Sequence, residues 1–470
     1  MSPGSPSTLV RRGHLWGHIV PLALLAALPV LALRPVSDPS PWLHLKVGQF
    51  LLHGNRFGLP DPWAPFASHE YIPTQWLPSI LSAVLFDRFG SAAVVWERAA
   101  GIAILALLLW RWASSLTRPW VACLTTTVAI FAAWPSLTER PQLAGFVLLA
   151  PVLMAWWRTA EDRRPRWWLV PLTWVAASTH GVWVIGLGLG GLTVVTLLMT
   201  GAVKRRAAVR LLALKASCLL AAALTPLGPR LLLTPFAVGS QAREFVQEWM
   251  PTSVRSPHVM AVLLLLAAAW LAWLSLQRRP PTWQLVNCLV ALVLTLYMER
   301  TVAVAAMVAL PLTCTALEQR LPRRKVEHSK PNLRLGWVAV LFGLVVAVPV
   351  AGAQAGHPRG TPYALQPALA ALPTGTRILV DSDTSGWVMF AAPQLRPVYD
   401  LRVESYTSLR VRNYMTMVAA EPGWEGLLSS SGATAALVKE DAPVRAALAG
   451  EAGWSDLGSG SGLVLMRRLP

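Results

Sequence analysis

The stretch SDPSPWLHLKVGQFLLHGNRFGLPDPWAPFASHEYIPTQWL (residues 37–77) directly follows the first long apolar run of the chain. It carries three carboxylates and three histidines, so it is far more polar than the run before it. Pro35, Pro39 and Pro41 surround Asp38, and proline disfavours the continuation of a helix. The chain is therefore predicted to turn sharply at Asp38.

The composition of the whole chain decides what that apolar run is. Of 470 residues, 54% are hydrophobic and only 14% are charged. A soluble globular protein could not bury so large an apolar fraction in its core. Since a membrane span needs roughly 17–25 mostly apolar residues, the sequence predicts an all-α polytopic membrane protein with about eleven transmembrane helices. Their centres fall near residues 26, 103, 127, 149, 174, 191, 217, 268, 290, 308 and 343.

The net charge of +18 reflects membrane orientation rather than nucleic-acid binding. The basic residues occur in short clusters between apolar runs and form no continuous basic face, so no nucleic-acid partner is expected. The positive-inside rule then predicts a cytoplasmic N-terminus. The protein is expected in the inner (plasma) membrane. The first run lacks the small-residue cleavage site of a signal peptide and is expected to remain as an anchor, which leaves Asp38 outside, at the bilayer boundary.

The region after the last span is predicted to be soluble and extracytoplasmic. TRILVDSD, RPVYDLRVESY and GLVLMRRL have the pattern of strands, and GATAALVKEDAPVRAALAG that of a strand followed by a helix. The predicted domains are thus a transmembrane domain (residues 1–355) and a small α/β domain (residues 356–470). Carboxylates at the strand ends (Asp381, Asp383, Asp400, Glu404) occupy positions where open α/β sheets often bind ligands, although solvation of loops explains them equally simply.

Polar residues close to the spans concentrate on the outer side. Glu139, His180, Glu248 and Glu299 each lie within a few residues of an apolar run. A charge at the centre of a membrane costs about 2.5–3.5 kcal/mol on insertion scales, so one held near that depth usually has a partner or a task. The pattern indicates a reaction centre at the outer face, and the alternative is that these loops are polar only because they meet water.

The first external loop (residues 37–77) is predicted to contain two short interfacial helices. Apolar residues from Trp42 to His53 recur at helical spacing, and residues 76–86 fit the same description. Trp42, Trp63 and Trp76 are then either anchors in the membrane interface or rings on which a sugar stacks.

The order of these elements resembles the GT-C superfamily of integral-membrane glycosyltransferases, and more closely a bacterial group of GT-C-like proteins. The resemblance rests on the first-loop segment DPSPWLHLKVGQFLLHGNRFGLPDPWAPF, followed in order by TERPQL, WVAASTHGVWVIGLGLG, LTPLGPRLLLTPF and FVQEWMP. It implies transfer of a sugar from a polyprenyl-phosphate lipid to an extracytoplasmic acceptor in the cell envelope, with membrane lipids as surroundings. The chain departs from the group's pattern at Ser40 and Gln75, where acids are usual, and at Ser178 and Thr179.

The resemblance also suggests roles for individual residues. Asp38 is expected to act as the catalytic base, the alternatives being a structural cap, an interfacial ion pair, or another carboxylate as the base. The residues expected to bind substrate are His44, Asp61, Glu70, Arg140, His180, Glu248, Trp249 and Arg300. Arg140, His180 and Arg300, together with Arg255, are candidates for the lipid phosphate, unless Arg140 and Arg300 merely pair with the adjacent Glu139 and Glu299. Glu248 and Trp249 would serve the acceptor.

No metal ion or other cofactor is indicated. The four cysteines (Cys123, Cys218, Cys288, Cys314) lie in or at the end of apolar runs with no CxxC spacing, so neither disulfides nor a zinc site is expected. Glycine-rich phosphate motifs are absent from the sequence, which argues against a nucleotide-sugar donor and against ATP coupling.

A second hypothesis is a non-enzymatic membrane protein, either a transporter or a scaffold of GT-C ancestry that has lost its chemistry. A transporter predicts inverted repeats and polar residues near mid-membrane. The sequence has no convincing internal repeat, and its polar residues collect at one face, which favours the enzyme.

Overall fold

The computed structural model describes residues 6–234, 244–245, 247–276, 279–321, 333–356, 358–451 and 453–469. Each of the eleven predicted span centres falls within a helix. These helices are α1 (Pro6–Leu31), α4 (Ser91–Ser114), α5 (Pro119–Ala133), α6 (Pro141–Asp162), α7 (Leu169–Ala177), α8 (Trp183–Met199), α9 (Arg205–Ala223), α10 (Pro257–Ser275), α11 (Thr282–Tyr297), α12 (Val302–Arg320) and α13 (Leu333–Ala355). Helices α5, α6 and α10 begin at a proline, whose fixed φ suits the first helical position and whose missing N–H is not needed there.

Five of the described helices are long and apolar enough to cross a bilayer: those ending at Ser114, Asp162, Ser275, Arg320 and Ala355. Shorter apolar helices span Ile19–Leu31, Trp183–Met199 and Thr282–Tyr297. The chain is therefore a mostly helical, multi-pass membrane protein, and the count of eleven spans stays a prediction.

The first external loop contains the two predicted helices, α2 (Ser40–Leu52) and α3 (Trp76–Phe89). Trp42 and Trp63 are buried inside the protein, so neither is an interface anchor, which was one of the two alternatives for them. Trp42 is buried against Phe390, with ring centres 5.7 Å apart, and Trp63 is buried against Phe50 and Phe57 at 5.2 and 5.1 Å. These rings lie in protein contacts because the loop packs as part of a folded core.

The chain divides into two compact units. The first unit comprises Met1–Leu33, Trp96–Leu232 and Val246–Gly352, and the second comprises Arg34–Val95, Leu233–Phe245 and Ala353–Pro470. The return of the chain to the second unit at Ala353 lies close to the predicted boundary at residue 355. That the first external loop belongs to the same unit as the C-terminal region was not predicted.

The C-terminal part of the second unit is built on a five-stranded sheet in the order β2-β1-β3-β5-β4. The strands are β1 (Arg377–Val380), β2 (Arg396–Pro397), β3 (Ala435–Lys439), β4 (Trp454–Gly460) and β5 (Leu463–Arg468). Strands β2, β1 and β3 run parallel, with Val380 opposite Leu437, whereas β5 runs antiparallel to both β3 and β4. Helices α14 (Gln366–Ala370), α15 (Ser382–Ala391), α16 (Ser408–Ala419), α17 (Trp424–Ser431) and α18 (Pro443–Gly450) connect and cover it.

Strands β1, β3 and β5 and helix α18 lie in the predicted segments. The prediction for RPVYDLRVESY was largely wrong, because only Arg396–Pro397 pairs as a strand. The rest of that segment turns around the buried side chain of Arg402, and a turn of 3₁₀ helix follows at Val403–Ser405. Strand β4 was not predicted at all.

In the first unit, a buried arginine joins three chain segments. Arg98 donates hydrogen bonds from Nε to the carbonyl oxygen of Leu137 at 2.8 Å and from Nη1 to that of Ala32. The carboxylate of Glu139 lies 3.7 Å from Nε, and both side chains are almost wholly buried. A buried guanidinium needs such partners, since an unpaired charge would cost several kcal/mol there.

Candidate active site

Asp38 lies in the turn just before α2, in the second unit. Its Oδ1 accepts a hydrogen bond from the backbone N–H of Ser40 at 2.9 Å. An aspartate side chain often forms such a local bond in a turn. The residue is only 7% exposed, so the turn presents a nearly buried carboxylate rather than a solvated loop acid.

Helix α15 packs closely against this turn. A Cβ on Gly386 would lie 3.2 Å from the carbonyl oxygen of Pro39 and 3.3 Å from the backbone nitrogen of Leu43. Glycine is thus needed for the backbones to approach as they do. The contact fixes the position of Asp38 relative to the sheet.

A cavity of about 560 Å³ opens beside Asp38, and we call it the Asp38 cavity. Its walls include the turn itself with Trp42, the segment from Arg359 to Thr361, and Asp381, Asp383 and Lys439 at the ends of β1 and β3. Ligand sites typically have volumes of about 300–1,000 Å³. The cavity therefore has room for a sugar-sized ligand.

Part of the cavity wall consists of two carboxylates, those of Asp381 and Asp383, and the ammonium group of Lys439. Lys439 Nζ lies 3.3 Å from Asp381 Oδ2 and 3.5 Å from Asp383 Oδ2. Burial raises the pKa of Asp381, although Lys439 acts against that shift. Burial alone lowers the pKa of Lys439, but the two carboxylates outweigh it and raise the pKa.

Asp61 belongs to a different arrangement, the Arg402 cluster (Asp61, Asp400, Arg402, Tyr406). Arg402 donates to both carboxylate oxygens of Asp61 at 2.9 and 3.1 Å and to both oxygens of Asp400 at 3.0 and 2.8 Å. Tyr406 donates its hydroxyl to Asp400 at 2.8 Å. Asp61 Oδ1 also caps the turn that follows it, accepting from the N–H groups of Trp63 and Ala64.

These contacts hold the first loop against the C-terminal region, and Asp61 does not line the Asp38 cavity. Two more predicted residues of this loop do not line the Asp38 cavity. The Nδ1 atom of His44 lies 3.2 Å from the Ser79 hydroxyl, so this histidine joins α2 to α3. Glu70 is exposed.

The other five predicted substrate-binding residues come together in the first unit, and we call them the Arg300 cluster (Arg140, His180, Glu248, Trp249, Arg300). Arg140 Nη1 lies 2.6 Å from Glu248 Oε1. Arg300 lies over the Trp249 ring, 5.5 Å from its centre, and its Nη2 is 3.3 Å from His180 Nε2. Four separate segments of the chain thus contribute to one polar group of side chains.

The ring of His180 is fixed from two sides. Its Nδ1 lies 3.2 Å from the N–H of Val182 as an acceptor. A Cβ on Gly145 would lie 3.0 Å from the Cβ of His180, so glycine at that position makes room for the ring. Both ring nitrogens of His180 thus lie beside N–H groups, one of Val182 and one of Arg300.

Within the described ranges, no group of three or more His, Cys, Asp or Glu side chains is placed to hold a metal ion. Sequence reasoning found Asp381 and Asp383 as strand-end carboxylates. It missed Arg359, Lys439 and Arg402, since an isolated basic residue forms no recognisable motif.

Together the apolar helices, the loop with two short helices after the first of them, and the C-terminal region give the chain a GT-C-like fold. It is similar to ArnT from Cupriavidus metallidurans bound to undecaprenyl phosphate, with a TM-score of 0.53 and 16% identity over 95% of this chain and 96% of that one. It is also similar to the oligosaccharyltransferase AglB from Archaeoglobus fulgidus in complex with an inhibitory peptide and a dolichol-phosphate, with a TM-score of 0.58 and 11% identity over 91% of this chain and 69% of that one.

A third similar structure is the arabinofuranosyltransferase AftD from Mycobacteria, with a TM-score of 0.55 and 15% identity. The match covers 96% of this chain but only 40% of AftD. No protein-family model matches the sequence, and no curated protein matches it as a relative. At these identities the likeness establishes the fold alone.

Proposed function

We propose that this protein is a membrane glycosyltransferase that moves a sugar from a polyprenyl-phosphate donor to an extracytoplasmic acceptor. The observation that carries the proposal is a nearly buried carboxylate, Asp38, in the wall of a cavity large enough for a sugar. Two proteins of similar fold have structures with a polyprenyl phosphate bound. ArnT binds undecaprenyl phosphate, and AglB is in complex with a dolichol-phosphate.

In the proposed reaction, Asp38 acts as the general base. An acceptor hydroxyl attacks the anomeric carbon of the donor and its proton passes to the Asp38 carboxylate. The bond between the anomeric carbon and the phosphate oxygen breaks, and the polyprenyl phosphate leaves with the bonding electron pair. Because the phosphate is a good leaving group, one base and a few cations are sufficient for this chemistry.

The Arg300 cluster supplies groups suited to a phosphate. Arg300 Nη2 and His180 Nε2 lie 3.3 Å apart, and both side chains can donate N–H groups to a phosphate oxygen. Arg140 pairs with Glu248, which balances its charge. We therefore assign phosphate binding to Arg300 and His180, and a supporting role to Arg140, Glu248 and Trp249.

We further infer that the N-terminus is cytoplasmic and the C-terminal region extracytoplasmic in the inner membrane, because the basic clusters then all lie inside. A periplasmic reporter enzyme fused after the last residue should be active, and a cytoplasmic one inactive. The reverse result would move the Asp38 cavity to the cytoplasmic side and remove the basis for an extracytoplasmic acceptor.

The decisive experiment compares sugar transfer by the wild type and by Asp38→Asn, using purified protein in nanodiscs with polyprenyl-phosphate sugars as donors. Loss of a general base typically slows a reaction by about 10²- to 10⁴-fold, so we expect a loss in that range. Glu70→Gln is the matched control, a carboxylate of the same loop that does not line the cavity, and should retain activity.

Transfer by Asp38→Asn at the wild-type rate would refute the assignment of the base. If the wild type transfers no sugar from any of the donors, the non-enzymatic scaffold becomes the better account of the fold.

A further inference from the structure

The Asp38 cavity lies at a place where the sheet itself favours a ligand. Strand β1 ends at Val380 and the neighbouring parallel strand β3 ends at Lys439, so both direct their carboxyl ends into the cavity. After β1 the chain passes through α15 and adds β2 on one side of β1. It then returns and adds β3 on the other side of β1. In open α/β sheets, ligands bind in the crevice where the direction of the chain reverses in this way.

The charges of this crevice disfavour an anionic ligand. Among the residues that the structure describes, its walls hold five carboxylates (Asp38, Asp381, Asp383, Glu440, Asp441) and two cations, Arg359 and Lys439. Lys439 already lies within 3.5 Å of the carboxylates of Asp381 and Asp383. A phosphate or a uronic acid would therefore meet a surplus of negative charge.

Besides its two cations, the crevice has one helix N-terminus that would attract an anion, and this N-terminus is already neutralised. Helix α15 begins here, and a helix N-terminus carries partial positive charge. Asp381 caps that N-terminus by accepting from the N–H of Asp383 at 3.2 Å, and Asp383 itself stands in the first turn. Two carboxylates thus occupy the position that a phosphate would otherwise take.

The remaining chemistry suits hydroxyl groups. Carboxylates accept hydrogen bonds from hydroxyls, and the indole of Trp42 adds an apolar, polarisable ring to the same wall. Small residues, among them Gly360, Ser461 and Gly462, leave the rest of the wall open and rich in backbone groups. A neutral, polyhydroxylated molecule matches this lining.

We infer that the crevice at the ends of β1 and β3 binds the acceptor, and that the acceptor is the end of an uncharged carbohydrate chain. Asp383, next to Asp381, accepts hydrogen bonds from its hydroxyls, and one further hydroxyl is presented to Asp38. This inference rests on the proposed function, from which it takes the role of Asp38.

The test measures binding, so it does not require turnover. Full-length protein in nanodiscs is titrated with mannotriose, galactotriose and arabinotriose as neutral probes and with trigalacturonate as the anionic probe. We expect at least one neutral probe to bind and trigalacturonate to bind at least tenfold more weakly. Asp383→Asn should weaken the neutral probe about tenfold, as expected for a lost hydrogen bond to a charged group.

Asp456→Asn is the matched control, because Asp456 is an exposed carboxylate that pairs with Arg445 and does not line the cavity. Lys439→Met is a second variant, which removes a cation and should weaken trigalacturonate further. Binding of trigalacturonate as tight as that of the neutral probes, no binding of any neutral probe, or equal effects of Asp383→Asn and Asp456→Asn would each overturn the inference.

The same titration separates this inference from the proposed function. Asp38→Asn, which also loses a hydrogen bond to the probe, should weaken the neutral probe by only about tenfold, whereas its sugar transfer should fall by about 10²- to 10⁴-fold. Neutral-probe binding without any transfer by the wild type would count against the enzyme and leave the carbohydrate site standing. Sugar transfer by the wild type without neutral-probe binding would support the enzyme and overturn the carbohydrate site.

Discussion

The Arg402 cluster is expected to be the principal tie between the first external loop and the C-terminal region, and replacing Arg402 tests this. Its side chain is 1% exposed, and those of Asp61 and Asp400 are fully buried. In Arg402→Met, a side chain of similar length keeps much of the packing against the rings of Trp63 and Tyr71. The two carboxylates, however, lose their only guanidinium within the cluster.

The magnitude follows from the charges left behind. Breaking a buried ion pair by removing one partner costs about 3–5 kcal/mol, because the other charge stays buried without compensation. Asp61→Asn costs less, about 1.5–3 kcal/mol, because Arg402 still has Asp400 as its partner. At about 2–4 °C per kcal/mol for a folding unit of roughly 150–250 residues, Arg402→Met should lower the unfolding midpoint by about 6–20 °C.

The control is another arginine of the second unit. Arg412 pairs with Glu244, but the two side chains are 57% and 47% exposed. Such exposed pairs contribute about 0–1 kcal/mol, so Arg412→Met should change the midpoint by less than about 4 °C.

The assay must report on the second unit and not on the transmembrane helices. Full-length protein with a C-terminal tag is heated briefly and then digested, and the tagged fragment that survives is quantified against temperature. The double variant Asp61→Asn with Arg402→Met should lose less than the sum of the single variants, because residues in contact do not act additively. An Arg402→Met midpoint equal to that of Arg412→Met, or strict additivity in the double variant, would refute the reasoning.

Three further predictions concern separate features. Burial alone raises the pKa of Asp400, but Arg402 outweighs it and holds the pKa below its ordinary value of 3.8. The resulting stability is complete above about pH 5 and is lost progressively as the pH falls through the ordinary value and then through the lowered pKa, so Asp400→Asn should flatten the fall in the protease-resistance midpoint between about pH 5 and 3. Arg300→Ala should weaken binding of undecaprenyl phosphate about 10- to 100-fold, measured by titration in nanodiscs. Gly386→Val should force apart the backbones of α15 and Leu43, and lower the same midpoint by several degrees, whereas Gly426→Val, where a Cβ meets nothing within 4 Å, should cost much less.

Much of the fold was predictable because its signals are local. A membrane span is a continuous apolar run, and each predicted centre therefore falls in a helix. Strands β1, β3 and β5 are short buried runs such as Ile378–Val380, which the sequence pattern shows directly. The GT-C-like fold followed from the order of several short motifs.

The rest depended on contacts between distant parts of the chain. Asp61 and Arg402 are 341 residues apart, and the sequence pattern around either residue does not predict its contact with the other. Strand β4 has the sequence WSDLGSG, which has no alternation of apolar residues, and it forms by pairing with β5 through an irregular register near Gly458. Trp42 looked like a membrane anchor because a sequence pattern cannot tell a ring buried in protein from one buried in lipid.

The two aspartates of the first loop show why a carboxylate count could not assign the site. Asp61 and Asp38 each lie among prolines and each accepts a local backbone hydrogen bond, but Asp61 is bound by the buried guanidinium of Arg402, whereas Asp38 lines a cavity. The departures at Ser40 and Gln75 can be judged in the same way. Ser40 orients Asp38 through its backbone N–H, which any residue except proline supplies, and Gln75 accepts the Ser79 hydroxyl through its backbone carbonyl at 2.8 Å. Neither missing acid is therefore needed to hold Asp38 in the wall of its cavity, so the departures are compatible with a catalytic Asp38.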